Sequence, residues 1–152
     1  MALADFGRFL MDVQNEPALA AKYLKRALMI TPNNEGALYN LGTLEANAKL
    51  YDDAEKTFGK LIKLRPRHGG CLRALGQLAW ARNKDRDAAV SYYEQAERAM
   101  PANAEFVLEF AALLLKSPLR EDHDRAERLK ERSRAIKVAA AEKAALSRSK
   151  RR

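Results

Sequence analysis

The sequence predicts an all-α protein: antiparallel helix pairs stacked side by side as a solenoid. Three observations carry that expectation. Pro32, Pro66 and Pro101 stand 34 and 35 residues apart. Small residues inside the intervening helices keep the same interval. Gly7, Gly42, Gly76 and Ala111 are spaced 35, 34 and 35, and Ala20, Ala54 and Ala89 are spaced 34 and 35. Finally, only five prolines and seven glycines interrupt long windows rich in alanine and leucine, as a mostly helical chain requires.

Each element follows from its apolar spacing. Leu3, Phe6 and Leu10 put one stripe on a first helix, with Gly7 inside it. Pro17 suits the first turn of a second helix, for which Asn15 is the expected cap, and Ala20, Leu24 and Ala27 form its stripe. "TPNNEGALYNLG", Thr31 to Gly42, reads as a turn entering a third helix carried by Leu38 and Leu41. A fourth begins near Asp52, whose acids suit a helix start, and uses Ala54, Phe58 and Leu61. Leu72 and Leu75 mark the fifth, Ala89, Tyr93 and Ala96 the sixth, and Val107, Phe110 and Leu114 the seventh. Ser117-Pro118 breaks the chain again, and Asp122 or Asp124 is the expected cap of a last helix with the stripe Ala126, Leu129, Ser133, Ile136 and Ala140. A helix-interior glycine costs about 1 kcal/mol relative to alanine. Gly42 is therefore expected where two helix axes approach closely, opposite Ala54 on the following helix.

These residues resemble tetratricopeptide (TPR) repeats, whose 34-residue pattern places Leu-Gly, then Ala-x-x-x-Phe, a further alanine and a closing proline. The resemblance covers residues 1–116: repeats at about 1–33, 34–67 and 68–102, and the first helix of a degenerate fourth at 103–116. Residues 117–140 would be its second, capping helix, and 141–152 a basic helical or flexible tail. The pattern is departed from where no tryptophan opens a repeat and where Glu45 and Ala79 replace the late tyrosine. Pentatricopeptide repeats fit the loop-and-helix pattern poorly, and HEAT repeats have a longer period. The resemblance implies a TPR-type α-solenoid, a right-handed superhelix of antiparallel pairs, ending in a capping helix and basic tail. It also implies a non-catalytic interaction module, a scaffold subunit of a larger assembly, holding a partner's peptide or helix in the concave groove lined by the first helices. In that register Ala4, Asp5, Arg8, Met11 and Asp12 come from repeat 1, and Tyr39, Asn40, Thr43 and Asn47 from repeat 2. Arg73, Gln77 and Trp80 come from repeat 3, and Glu109 from the fourth.

The two-carboxylate clamp by which chaperone adaptors of this family grip their ligand is not expected. Of the places it needs, only Asn40 matches, and acids such as Glu105 and Glu109 stand where cations are required.

Charge is unevenly spread. Residues 1–116 hold 16 Lys and Arg against 14 Asp and Glu, whereas residues 117–152 hold 12 against 6. The tail residues Arg148, Lys150, Arg151 and Arg152 are candidates for contact with an anionic partner, RNA or an acidic surface. This supports the alternative of a ribonucleoprotein or nucleic-acid-associated component. No aromatic residue follows Phe110, so base stacking from the tail is not available.

Signatures of catalysis are missing. There is no phosphate-binding G-x-x-x-x-G-K-[ST], no G-x-G-x-x-G and no H-E-x-x-H. His68-x-x-Cys71 lacks the second ligand pair of a zinc site. No enzyme activity, cofactor or metal is expected. The most apolar run, Phe106 to Leu115, contains Glu109 and is far shorter than the roughly 20 residues of a membrane span. The N-terminus lacks the features of a secretory signal, so an intracellular setting is expected.

Overall fold

The turn after each second helix is built the same way three times. The Thr31 N–H donates to the Ala27 carbonyl (2.8 Å), and the Asn34 N–H to that of Thr31 (3.1 Å). Arg65 and His68 repeat the pair on Leu61 (2.8 Å) and Arg65 (3.0 Å), and Met100 and Asn103 on Ala96 (2.9 Å) and Met100 (3.1 Å). The second residue after each proline then caps the next helix. Asn34 Oδ1 accepts from the Ala37 N–H at 2.9 Å, His68 Nδ1 from Cys71 at 3.0 Å and Asn103 Oδ1 from Phe106 at 3.0 Å. Each bond satisfies one of the donors that a helix start leaves open.

The computed structural model describes residues 3–149, and among them finds eight helices and no strand. They are α1 (Leu3–Asp12), α2 (Pro17–Ile30), α3 (Glu35–Asn47), α4 (Tyr51–Leu64), α5 (Gly69–Asn83), α6 (Arg86–Ala99), α7 (Ala104–Leu114) and α8 (Arg120–Ser149). The chain forms two compact units, one ending at Tyr92 and the other starting at Tyr93, so the division falls within α6.

In the first unit α1 packs on α2 and α3 on α4, and α3 also contacts α1, α2 and α5. Leu10, Leu24, Ala27, Leu41 and Leu44 belong to one core cluster, and Leu38, Phe58, Leu61, Cys71 and Leu75 to the next. Pairing within a repeat is antiparallel. Gly42 meets Phe58, and Glu45, one turn later, meets the earlier residue Thr57, whose hydroxyl donates to its carboxylate at 2.7 Å. That bond accounts for Glu45, an acid buried where the repeat pattern has a tyrosine.

In the second unit α7 packs on α8. Tyr93 stacks against Phe106 and meets Phe110 at a tilt, with ring centroids 5.4 and 5.3 Å away. Arg125 pairs with Glu94 at 2.8 Å and covers the Phe110 ring at 4.9 Å, and Ser133 Oγ donates to the Ala104 carbonyl at 2.8 Å.

Several expectations change. The residue preceding α2 is Glu16, which makes no side-chain cap bond, and Asn15 instead takes a left-handed turn at φ 53°. Asparagine tolerates that conformation better than most residues. The close neighbour of Gly42 is the ring of Phe58, not Ala54. α8 starts at Arg120, ahead of Asp122 and Asp124, and Ser117 Oγ accepts the Leu119 N–H just before it (3.2 Å). Its stripe is buried at Ala126, Leu129 and Ser133, half-buried at Ile136 and exposed at Ala140. The helix nevertheless continues to Ser149, so the divide expected at residue 140 lies inside one element.

Candidate binding cleft between the first helices

α3 and α5 carry the same register of side chains, and where they lie side by side they leave a cleft of about 200 Å³. α3 contributes Tyr39, Thr43, Ala46 and Asn47, and α5 contributes Arg73, Ala74, Gln77, Leu78 and Ala81. Tyr51 and Phe58 of α4 complete the lining. Alanines at 46, 74 and 81 keep it open, because any larger side chain would project into the space between the helices.

Tyr39 is its most firmly held wall. The ring lies 6.3 Å from that of Phe58 and 5.3 Å from the His68 imidazole. Gly70 leaves room beneath it: a Cβ there would stand 3.3 Å from the phenol oxygen. Thr43 is fixed too, its hydroxyl donating to the Tyr39 carbonyl at 2.9 Å. A second hollow, between α1 and α3, is lined by Asp5, Arg8, Asn34, Gly36, Tyr39 and Asn40, so Tyr39 borders both.

Five of the expected groove residues therefore share one cleft: Tyr39, Thr43, Asn47, Arg73 and Gln77. Asn40 is buried, only 9 % exposed, and borders the other hollow. Trp80 is half-buried and lies outside the arc that α5 turns to the cleft; Lys84 Nζ sits 5.8 Å from its ring centroid. Glu109 is half-buried within the second unit and accepts the Tyr93 hydroxyl at 2.5 Å, a role the groove register does not reveal. Arg148 is exposed on α8, and Lys150, Arg151 and Arg152 lie outside the described residues. Sequence reasoning missed Tyr51 and Phe58, because it assigned the groove to first helices alone.

The residues considered for metal binding have other work. His68 Nδ1 is committed to the α5 cap, and the Cys71 thiol is fully buried against the Phe58 carbonyl, 3.6 Å away. Burial pushes that thiol up to about 12. Among the described residues no group of three or more His, Cys, Asp or Glu is placed to hold a metal ion, and no helix is long and apolar enough to cross a membrane.

The sequence profile of the tetratricopeptide repeat matches residues 14–78, the stretch that builds the cleft's α3 and α4. That stretch, a little under half of the chain, is similar to tetratricopeptide repeats. No curated protein sequence matches it. Among solved structures, a crystal structure of MamA superposes with a TM-score of 0.78 at 18 % identity, covering 92 % of this chain and 79 % of that one. PilF of Pseudomonas aeruginosa gives 0.72 at 22 %, covering 86 % and 59 %. A thermophilic TPR protein from Thermus thermophilus gives 0.71 at 23 %, covering 88 % and 72 %. At these identities the likeness is one of fold: an all-α, TPR-type solenoid.

Proposed function

We propose that this TPR-type solenoid is a non-catalytic interaction module that holds a peptide or a short helix of a partner protein between α3 and α5. The observation that carries this reading is the cleft itself, where an apolar floor of Phe58, Leu78 and three alanines is bordered by Tyr39, Thr43, Asn47, Arg73 and Gln77. Such a mixture suits a ligand that inserts a small apolar side chain and offers its backbone to surrounding polar groups. Tyr39 is positioned by Phe58, His68 and Gly70 before any ligand arrives, which lowers the ordering cost of binding.

Plugging the cleft tests the reading. Gln77 is exposed on its rim, so Gln77→Trp should leave the fold intact and occupy the space. Affinity purification with equal amounts of folded wild type and variant should lose the wild-type partners from the variant. Unchanged recovery would rule out this cleft as the binding site.

A further inference from the structure

α8 holds together far beyond the part that packs. Of its 30 residues, those after Ile136 are exposed as far as their side chains are described, through Arg148. The extension persists on local propensity, because Ala139, Ala140, Ala141, Ala144 and Ala145 are strong helix formers. Of the nine cations of α8 four share one face, while Arg125 and Arg132 are paired with Glu94 and Glu97 and exposed Arg128 and Lys143 lie on the opposite face. At about 100° per residue, Lys130, Arg134, Lys137 and Arg148 fall within an arc of about 60°. Glu131 and Glu142 lie about a quarter of a turn or more from its centre. Lys130 is paired with Glu127 at 2.6 Å, so Arg134, Lys137 and Arg148 form the outward part of the stripe, spread over about 21 Å of helix. Between the last two only alanines stand on this face, and they present no barrier to a flat or rod-like surface.

We infer that this face of α8 docks on the phosphate backbone of double-stranded nucleic acid, independently of the α3–α5 cleft. Charge complementarity selects the partner. A protein partner would be anchored by buried aromatic or large aliphatic side chains, and the stripe carries none. A membrane would require a broad apolar face, yet the two large exposed apolar residues here, Val138 flanking the stripe and Leu146 on the far side, are separated by Glu142. Single strands are gripped largely by aromatic stacking, and α8 has no aromatic residue. A stiff helix carrying several cations along one side complements a duplex, a rod of dense phosphate charge that can meet each of them. Contacts of this kind read no base sequence.

The test is salt-dependent binding of the full chain to a fluorescent DNA duplex of about 24 base pairs and to one of its single strands. Duplex binding should be the tighter and independent of sequence. Arg134→Gln, Lys137→Gln and Arg148→Gln together should flatten the log–log salt slope by about 2.7, removing about 40-fold of the affinity lost between 50 and 200 mM salt. Lys25→Gln, Lys60→Gln and Lys63→Gln, exposed cations of α2 and α4, remove the same charge elsewhere and should leave the slope near wild type. Circular dichroism at 222 nm confirms that both variants stay helical. The inference is overturned by tighter single-strand binding, by an equal effect of the two triple variants, or by negligible duplex binding at 50 mM salt. It is equally overturned if removing residues 150–152 abolishes binding while the α8 variant retains it.

Discussion

Gly42 of α3 lies against the ring of Phe58 in α4, so close that a Cβ on the glycine would stand 2.6 Å from Cε1 and 2.8 Å from Cδ1. Gly7 stands in the same relation to Leu24, at 2.8 Å from Cγ. The ring cannot easily yield, since Phe58 is fully buried. Gly42→Ala should therefore be destabilising even though alanine favours the helix by about 1 kcal/mol, because overpacking a core costs about 1–3 kcal/mol. Gly59, one residue after Phe58, supplies the control: nothing lies within 4 Å of its Cβ position. Gly59→Ala should stabilise by about 0.5–1 kcal/mol. Urea midpoints measure both, and trimming the ring with Phe58→Leu should relieve part of the Gly42→Ala penalty. If the two glycine variants shift the midpoint in the same direction, close packing is not what Gly42 provides.

That contact shows how far a sequence can be read. The 34- and 35-residue intervals located Gly42, Ala54 and Phe58 on facing stripes, because repetition exposes periodic residues whatever their partners. Which stripe residue faces the glycine depends on how far one helix slides along the other, and spacing alone does not contain that. The same limit applies to the cleft. Tyr39, Thr43, Asn47, Arg73 and Gln77 were legible from helical register. Tyr51 and Phe58 reach it from the second helix of the repeat, and Trp80 misses it by its position round α5. Asn34, His68 and Asn103 cap their helices at Pro+2 in all three turns, a periodicity in the sequence that becomes intelligible once their hydrogen bonds are seen.

His68 occupies a place filled by asparagine in the other two turns, and its Nδ1 accepts the Cys71 N–H as their amide oxygens accept theirs. Loss of a capping side chain costs about 0.5–2 kcal/mol. His68→Ala should lower stability by about 1 kcal/mol, within that range, and His68→Asn should restore most of it. Because the imidazole also lies 5.3 Å from the Tyr39 ring, the asparagine variant should recover stability while still weakening partner binding in the cleft. Urea unfolding and a binding titration separate the two effects. An alanine variant as stable as wild type would show that this cap contributes nothing.

Cys71 follows the capping residue by three positions, and its fully buried thiol is pushed from an ordinary 9.0 up to about 12 by desolvation of the thiolate. At pH 8 the native thiol stays protonated and sealed. Its reaction with a disulfide reagent should be at least about 100-fold slower than in urea, proceeding through opening of the fold. The raised value also sets a direction for stability. Below pH 9.0 both states keep the proton, and the burial is undisturbed. Between 9.0 and about 12 only the unfolded chain loses it, so the folded state is progressively disfavoured as pH rises. The useful quantity is the stability difference between wild type and Cys71→Ala, which isolates the contribution of the thiol. That difference should shift against wild type from pH 9 to 11, and a difference independent of pH would show that the thiol ionises as readily in the folded protein as in the unfolded chain.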